Sequence, residues 1–410
     1  MLLARKEFFG YIFFDVAKGD LFIYKTSETL NFAEDFKILN PSSDKEYESS
    51  EVKLLPSKIV RDDILSGPID VELYPTLFCN ERCKFCYVGD RLSPNGIASL
   101  SRPDAERIIA QLKDSGVIGV SILGGEPLLY KDLPWLLDLL YDNGFKISLN
   151  TNGTIYNEDV IQKIIKYGVN FSISMQSHQN QINSSITQNT IALNKTLNMI
   201  NRLLSIGYVP PISIVVNKEN YNGMLDTVEF LCKKGIKAIR LFHTMKSGFI
   251  VQANNGYGDI GVDFNSYKEL LLKASDTARK YGSKIIANTN FPFLIYKDIK
   301  FSTDLRLSNL LYGQNDGRRT LYIMYDGSVY GSMYEIPRNI NYAGNILSES
   351  LIDIWNHSAG LNTMRSLKPL SACEICSHFE YCRGGTMINM VANNKDLKPN
   401  CPIYGVTTSE

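Results

Sequence analysis

Three cysteines near residue 80 have the types and spacing most suited to chemistry in this sequence. The stretch CNERCKFCYVGD, residues 79–90, places them as Cys79-x3-Cys83-x2-Cys86. A structural zinc site, or a 4Fe-4S site that only transfers electrons, is closed by a fourth protein ligand. The motif offers three thiolates, so it predicts a cluster with one iron left open to a small molecule.

Four more cysteines form a second group near the end of the chain. Their spacing is Cys373-x2-Cys376-x5-Cys382, with Cys401 as a distant fourth member. Eight cysteines in 410 residues are too few for a disulfide scaffold, so clusters of them indicate metal ligands in a reducing compartment. On spacing alone, zinc and an iron-sulfur cluster both fit this second group.

Composition limits the partners and the compartment. The 43 basic and 43 acidic residues cancel, and no dense Lys/Arg stripe occurs, so neither nucleic acid nor a membrane surface is expected as a partner. No apolar run is long enough for a membrane span, and charged residues interrupt the N-terminal stretch, which argues against a signal peptide. The sequence therefore predicts a cytoplasmic protein that acts on a small or peptidic ligand.

Strand-like and helix-like patterns alternate between residues 69 and 245, which is typical of consecutive βα units around a parallel sheet. Polar motifs follow each strand, at the end of the sheet that carries the active site in (β/α) barrels. Six units cannot close an eight-stranded barrel, so we expect an α/β fold with an open, partial (β/α)6 barrel. The six predicted strands are IDVELYPTLF, VIGVSIL, FKISLN, VNFSISM, ISIVVN and IKAIRLF.

Smaller modules flank the predicted barrel. The first contains a hairpin, FFGYIFFDVAKGDLFIYK, and a polar stretch, NPSSDKEYESSEVK, expected to be an exposed loop. The last contains a hairpin that turns at Asp326-Gly327 and a helix around LIDIWNHSAGLNTMRSL. The predicted division is 1–65 for the N-terminal β module, 66–250 for the barrel, 251–312 for a helical and strand bridge, and 313–410 for the cysteine-rich module.

The CxxxCxxC spacing with Phe85 inside it, and GGEP at residues 124–127, resemble the radical SAM superfamily. The resemblance implies that S-adenosylmethionine (SAM) chelates the open iron of a 4Fe-4S cluster held by Cys79, Cys83 and Cys86. It further implies that a flavodoxin- or ferredoxin-type partner supplies the electron that cleaves SAM. The resulting 5'-deoxyadenosyl radical would take a hydrogen atom from the substrate.

The same resemblance implies roles for residues at the strand ends. The two glycines of GGEP would admit the ligand closely, and its glutamate would face the methionine ammonium. Relatives commonly have an arginine after the fourth strand, where this chain has none, so Arg240 or Lys246 is expected to replace it. A plain βα turn and ordinary capping remain the alternatives for these motifs. The expected cofactor-binding residues are Gly124, Gly125, Glu126, Asn152, Ser172, Ser174 and Arg240.

The C-terminal module resembles the SPASM domain of radical SAM peptide maturases over roughly residues 313–403, in YDGSVY, AGNILSESLIDIW and CxxCxxxxxC. That family usually has seven cysteines and two auxiliary 4Fe-4S clusters. Here Ser332 and Thr386 replace two of the cysteines, and the region around Gly313 lacks a third. The resemblance therefore implies a single, fully ligated auxiliary cluster on Cys373, Cys376, Cys382 and Cys401, which would move electrons or brace the fold.

Three residues are weak catalytic candidates on the substrate side. Cys232 lies on an amphipathic helix and is expected to be a buried structural thiol, although a hydrogen-atom donor facing the lumen is the alternative. His243 and Glu335 are possible acid or base groups that no spacing singles out.

These observations predict a radical SAM enzyme that modifies a ribosomally made precursor peptide by hydrogen abstraction, with a side-chain crosslink as the expected product. The N-terminal hairpin would either bind the leader of that peptide by adding a strand or serve only as a β cap that shields the barrel. A peptide epimerase and a small-molecule dehydrogenase are the alternative enzymes. A cluster-bearing module that binds a peptide or passes electrons is the non-catalytic alternative.

Overall fold

The structure, a computed structural model, describes residues 1–18, 20–26, 30, 37–40, 45–93, 99–244, 260–288, 317–333, 336, 341–366 and 375–376. Its first strands are β1 (Leu2–Glu7), β2 (Gly10–Asp15), β3 (Asp20–Lys25), β4 (Lys37–Asn40), β5 (Lys45–Glu48) and β6 (Val52–Leu54). They form a four-stranded sheet in the order β3-β2-β1-β6 and a separate pair, β4-β5.

The predicted N-terminal hairpin is present as β2 and β3. The expectation of an exposed loop over NPSSDKEYESSEVK was wrong for residues 45–53, which contain β5 and the first two residues of β6. The polar residues of β5 are exposed, but Tyr47 is completely buried and its hydroxyl donates to the Asp15 carboxylate. One buried aromatic among charged neighbours is a weak strand signal, which explains the error.

A sheet of ten strands lies at the centre of the described chain. The six predicted strands are confirmed as β7 (Asp70–Tyr74), β8 (Gly119–Ile122), β9 (Lys146–Thr151), β10 (Asn170–Ser174), β11 (Ile212–Val216) and β12 (Ala238–His243). They are followed by β13 (Lys284–Asn288), β14 (Thr320–Met324), β15 (Ser328–Tyr330) and β16 (Gly344–Asn345). The order is β13-β12-β11-β10-β9-β8-β7-β14-β15-β16, and the run from β13 to β14 is parallel.

Two parallel strands therefore extend the predicted six. β13 pairs with β12, and β14 pairs with β7, so the sheet crosses the predicted boundaries at residues 250/251 and 312/313. β15 and β16 continue it as antiparallel strands, and the β14–β15 hairpin turns at Gly327, whose φ of +80° suits glycine. The domain limits themselves stay a prediction.

Helices cover the face of the sheet opposite its cavity. They are α1 (Arg102–Asp114), α2 (Leu133–Asp142), α3 (Glu158–Tyr167), α4 (Asn180–Thr187), α5 (Ala192–Ser205), α6 (Met224–Lys233), α7 (Phe264–Arg279), α8 (Leu351–His357) and α9 (Ala359–Ser366). The Ser101 side chain caps α1 by accepting from Asp104 N. No helix in the described ranges is long and apolar enough to cross a membrane.

The sequence predicts one C-terminal helix, whereas the structure has two, α8 and α9, which are separated at Ser358. Trp355 of α8 is fully buried, and its Nε1 donates to Leu65 O at 2.6 Å. This hydrogen bond ties the module to the chain segment that enters β7. A buried indole with a satisfied N–H is a strong packing anchor.

A buried ion pair joins the N-terminal sheet to the barrel. Arg5 and Glu7 of β1 are buried, and Arg5 Nε lies 2.7 Å from Glu7 Oε1. The remaining guanidinium hydrogens reach Pro68 O at 2.7 Å, Gly116 O at 3.0 Å and Gly67 O at 3.0 Å. Arg5 thus holds carbonyls at the start of both β7 and β8.

We expect Arg5→Met to lower the free energy of unfolding by about 3–5 kcal/mol, because it leaves the Glu7 carboxylate buried without its cation. Urea titration of the protein under argon, followed by circular dichroism, measures this. Adding Glu7→Gln to Arg5→Met should recover part of the loss. Lys37→Ala, which removes an exposed pair with Glu46 in the same module, is the matched control and should leave the midpoint unchanged. Equal midpoints for Arg5→Met and Lys37→Ala would contradict the anchoring role.

Candidate active site

A cavity of about 590 Å³ lies against the parallel strands, with lining residues from each of β7 to β13. The three sulfurs of the cysteine motif belong to residues that line it: Cys79, Cys83 and Cys86. The GGEP turn contributes Gly125 and Glu126 to the same wall. The structure thus brings together on one cavity the cysteine motif and the turn that the sequence associated with it.

The cysteine loop is fixed to the barrel through its backbone. Arg82 N donates to Thr187 O at 3.0 Å, and Lys84 N donates to Ile186 O at 2.9 Å, both at the end of α4. The Lys84 ammonium also lies 2.8 Å from the Glu219 carboxylate, in the loop after β11. These contacts fix the position of the loop relative to α4 and β11.

Backbone amides approach two of the thiols, Glu81 N at 3.5 Å from Cys79 Sγ and Gly89 N at 3.4 Å from Cys86 Sγ. Burial, assisted by the nearby Glu126 carboxylate, raises the pKa of Cys79 to about 12. Burial also raises the pKa of Cys83 and of Cys86. Cysteine binds an iron-sulfur cluster as the thiolate, so cluster binding is coupled to release of the thiol protons.

The donor set fits a cluster better than a single ion. No group of three His, Cys, Asp or Glu residues in the described ranges is arranged to hold one metal ion. A single zinc needs its thiolates about 2.3 Å from one centre, whereas the cysteine ligands of a 4Fe-4S cluster bind different irons. The three cysteines, on one loop and on one cavity wall, therefore suit the larger group.

The GGEP turn packs directly on the strand that leads into the cysteine loop. Gly125 N donates to Thr76 O, and Glu126 N donates to Phe78 O, each at 2.8 Å. A Cβ at Gly124 would lie 2.3 Å from Thr76 O, and one at Gly125 would lie 2.1 Å from Phe78 O. The glycines are needed because backbone meets backbone here. The approach to a ligand that was expected of them stays a prediction.

The Glu126 carboxylate is buried and engaged within the chain. It accepts from Thr151 Oγ1 at 2.5 Å, Asn152 N at 2.8 Å and Leu128 N at 3.0 Å. Burial raises the pKa of Glu126 against the effect of these three donors. The side chain thereby connects the GGEP turn to the end of β9. Its expected contact with the methionine ammonium stays a prediction.

Asn152 belongs to a polar network that reaches the cysteine loop. Its Nδ2 donates to Asn80 Oδ1 at 2.8 Å, and Asn80 Nδ2 donates to Thr154 Oγ1 at 2.7 Å. Asn80 lies beside Cys79, so β9 and the loop are joined through two amides. Sequence reasoning missed Asn80 and Thr154; their amide and hydroxyl groups at a loop and a strand end were the available signal.

The remaining predicted cofactor residues line the cavity on β10 and β12. Ser172 Oγ donates to Asn150 Oδ1 at 2.8 Å, and Ser174 Oγ accepts from Gln176 Nε2 at 2.9 Å. Arg240 Nη2 reaches across to Asn170 Oδ1 at 3.3 Å, and burial lowers the pKa of Arg240. Lys246 lies outside the described residues.

Glu72 is a cavity residue that sequence reasoning missed. It lies in the middle of β7, lines the cavity, and its Oε2 accepts from the Tyr74 hydroxyl at 3.2 Å. The hydroxyls of Tyr74 and Tyr87 lie 2.8 Å apart. A charged residue between Val71 and Leu73 in an apolar strand was the signal, since such a residue faces either solvent or a lumen.

The three catalytic candidates differ in where they lie relative to the cavity. Cys232 is buried on α6 in the helix-facing core and is absent from the cavity lining, so the interpretation as a lumenal hydrogen-atom donor was wrong for the described structure. His243 lines the cavity at the end of β12. Glu335 lies outside the described residues.

The second cysteine group falls mostly outside the described residues. Cys376 is partly exposed and carries a free thiol, while Cys373, Cys382 and Cys401 are not described. Ser332, which replaces a cysteine of the usual pattern, is fully buried after β15. The auxiliary ligand set therefore stays a prediction.

Comparison with known families decides the assignment of the two motifs. The sequence model of the radical SAM superfamily matches residues 73–231, and that of the SPASM iron-sulfur cluster-binding domain matches residues 315–379. Together the matches span more than half of the chain. The chain is a radical SAM enzyme with a SPASM domain. SAM and iron-sulfur cofactors are confirmed for it on this basis, in agreement with the resemblance seen in the sequence.

The relatives of this radical SAM enzyme include proteins whose names describe different reactions. Mycofactocin maturase MftC of Mycolicibacterium smegmatis is 26% identical over 332 residues, covering 79% of each chain. Fe-coproporphyrin III synthase of Methanosarcina barkeri is 21% identical over 381 residues, covering 87% of this chain and 92% of the relative.

Solved structures confirm the fold. Streptococcus suis SuiB, crystallised with its precursor peptide SuiA, superposes with a TM-score of 0.68 at 22% identity, covering 81% of this chain and 74% of SuiB. SuiB bound to SAM gives a TM-score of 0.67 at 23% identity, covering 82% of this chain and 76% of SuiB. The partial-barrel architecture is therefore shared.

We expect Gly125→Ala to abolish binding of the cluster on the cysteine loop and to leave the auxiliary cluster, because its Cβ would push the GGEP turn off the Phe78 carbonyl and shift the cysteine loop. Iron and sulfide content after anaerobic reconstitution, beside far-UV circular dichroism, measures the effect. Gly144→Ala is the matched control: its φ is +80°, nothing lies within 4 Å of the new Cβ, and it should keep its iron. Full iron content in Gly125→Ala would show that the turn does not position the loop.

Proposed function

We propose that this enzyme modifies a ribosomally synthesised peptide by hydrogen abstraction and forms a side-chain crosslink. The observation that supports this most is the single cavity of about 590 Å³ onto which the three-cysteine loop opens. A ligand cleft of this volume, within the usual range of about 300–1,000 Å³, has room for part of a substrate next to the cofactor. The maturase relative and the peptide-bound SuiB structure favour a peptide as that substrate.

Cys79, Cys83 and Cys86 would hold the SAM-binding cluster, and the GGEP turn, Asn152, Ser172, Ser174 and Arg240 would hold SAM. The auxiliary cluster would be held by Cys373, Cys376, Cys382 and Cys401. When bound, these groups supply the 5'-deoxyadenosyl radical and an acceptor for the surplus electron of an oxidative crosslink.

The chain's own residues would bind and orient the peptide. Short polar side chains from neighbouring strands line the cavity, among them Ser121, Ser148, Asn170 and Ser213. They offer hydrogen bonds that suit the polar backbone of a peptide, while Glu72 adds a carboxylate.

The N-terminal sheet would hold the leader part of the peptide. Among the described strands, β3 pairs only with β2, so one edge of this sheet is available to another strand. Pairing at an exposed edge binds extended peptides through their main chain. The Arg5 anchor would keep this edge in a constant position relative to the cavity.

A small-molecule substrate is the second candidate. The match to Fe-coproporphyrin III synthase, over 92% of that relative, favours it. Epimerisation of a peptide is less favoured, because Cys232 lies away from the cavity and so cannot return a hydrogen atom there.

We expect the wild-type enzyme, with SAM and dithionite, to release 5'-deoxyadenosine and to lower by 2 Da the mass of a synthetic peptide encoded by a short reading frame beside the gene. Loss of two hydrogens is the mass change of a crosslink. Cys79→Ala should abolish both signals, while Cys232→Ala, the matched thiol control, should keep both. Mass spectrometry with a deuterated peptide checks this. SAM cleavage with every such peptide unchanged would overturn the peptide proposal and favour the small-molecule candidate.

We expect about eight iron atoms per chain after reconstitution, as two 4Fe-4S clusters require, and about four in the double variant Cys373→Ala/Cys376→Ala. Metal analysis with zinc measured in parallel checks the number. About four irons and one zinc in the wild type, with the zinc lost in the double variant, would show that the C-terminal site is structural.

A further inference from the structure

The short segment after the last cysteine of the motif contacts both that cysteine and the SPASM part of the chain. It forms a single 3-10 turn, Gly89–Arg91. At the start of the turn, Gly89 N donates to Cys86 Sγ at 3.4 Å. At its end, the Arg91 guanidinium donates to Ile336 O at 2.7 Å, in the region that the SPASM model matches. Three residues therefore separate a cysteine sulfur from the SPASM segment.

The SPASM side of this contact is buried and well packed. Arg91 Nη1 also lies 3.3 Å from the hydroxyl of Tyr330 on β15, and its guanidinium carbon lies 6.0 Å from the centroid of that ring. Tyr330, Ile336 and the neighbouring Leu92 belong to one hydrophobic cluster, against which Cys86 packs. A charged donor on a carbonyl in such a place makes a strong hydrogen bond. The guanidinium is therefore a firm tether.

The turn transmits the position of its last residue to its first. Leu92 N donates to Gly89 O at 3.1 Å, which closes the turn, and Ser93 N donates to Leu77 O at 2.8 Å, which ties the chain to the end of β7. Gly89 has a φ of +36°, in the left-handed region that favours glycine. With its backbone closed in this way, the turn presents the Gly89 amide to the sulfur in an orientation that the Arg91 tether helps to set.

An amide that donates to a cysteine sulfur affects the electronic properties of a cluster bound there. Hydrogen bonds to the sulfurs are among the factors that determine the reduction potential of iron-sulfur clusters. Reduction adds negative charge, and a donor stabilises the more negative state, so the hydrogen bond raises the potential. Arg82, the arginine inside the cysteine loop, donates instead to Cys79 O and Glu81 O of the loop itself. Arg91 is thus the arginine that links this chemistry to the SPASM segment.

We propose that Arg91 is a positioning residue through which the SPASM segment holds the Gly89 amide against Cys86 Sγ, and that this hydrogen bond raises the reduction potential of the SAM-binding cluster. The inference rests on the proposed placement of that cluster on Cys79, Cys83 and Cys86, and it is independent of the substrate. It gives the SPASM segment an effect on the first cluster in addition to holding an auxiliary one.

Three variants separate the tether from other effects. Arg91→Met removes the guanidinium at similar length, and Arg91→Lys keeps a charge and a donor for Ile336 O. Arg102→Met is the matched control, because Arg102 of α1 also lies over a ring, 5.0 Å from the centroid of Trp135, and its ion pair with Asp132 is on another part of the surface.

Two measurements on the reconstituted protein under argon give the readouts. The first is the midpoint potential of the loop cluster by EPR redox titration without SAM, its signal being identified by the change that added SAM causes. The second is the coupling of exchangeable deuterons to the reduced cluster, measured by ENDOR on protein exchanged into D2O before reconstitution. Iron content confirms that each variant holds its clusters.

We expect Arg91→Met to lower the ratio of reduced to oxidised loop cluster about three- to tenfold at a given potential. This corresponds to a midpoint about 30–60 mV lower, at 59 mV per tenfold for one electron. One deuteron coupling should weaken in the same variant. Arg91→Lys, Arg102→Met and the auxiliary cluster of every variant should match the wild type.

An unchanged midpoint in Arg91→Met with full iron content would overturn the proposal. A lower midpoint with unchanged deuteron coupling would overturn it too, because the guanidinium would then act by its charge alone. Should Arg91→Met fail to hold the loop cluster, Tyr330→Phe replaces it, since it removes a contact of the guanidinium and leaves the charge. A smaller shift of the same sign is expected there, and an unchanged midpoint would be decisive against the tether.

Failure of the proposed cluster placement is distinguishable from failure of this inference. If the wild type gives no cluster signal that responds to SAM, the placement on the cysteine loop fails first, and that result requires no variant.

Discussion

The close contact between the GGEP turn and the strand before the cysteine loop is the constraint on which the site depends. Backbone meets backbone there, at 2.8 Å between Gly125 N and Thr76 O, and neither glycine has room for a side chain. The buried Glu126 carboxylate extends the contact to β9 by accepting from Thr151 and Asn152. The cysteine loop is thus connected through this contact to the ends of β7, β8 and β9.

The cavity has two walls of different character. On the β7 to β9 side, the polar groups are connected to one another, as in the pairs Asn152–Asn80 and Asn80–Thr154. At the end of β12, by contrast, the unsatisfied Nδ1 of His243 and Oγ1 of Thr244 are buried within the protein. The wall that carries the cysteine loop is thus preorganised by hydrogen bonds within the chain.

The sequence predicts the barrel and the cysteine loop well, because buried parallel strands are continuous apolar runs and because three cysteines at that spacing have few other uses. Prediction from the sequence fails for elements that depend on contacts with distant parts of the chain or whose local pattern is weak. β14 joins β7 only through pairing across the chain, and β5 has one buried residue, Tyr47, among charged ones. His243 could be named as a candidate, but its unsatisfied Nδ1 depends on Val262 and Tyr267, which no spacing reveals.

The pairing of β7 with β14 has a consequence for synthesis on the ribosome. Asp70 pairs with Thr320, so the strand that leads into the cysteine loop lacks its second neighbour until about 250 further residues have been made. At about 5–20 residues per second, this takes roughly 10–50 s. During that time one edge of β7 is open to solvent and to other chains, and unpaired edges promote aggregation. The SPASM segment therefore completes the barrel as well as following it, and a nascent chain that stops before residue 320 leaves the cluster-binding strand at an open edge.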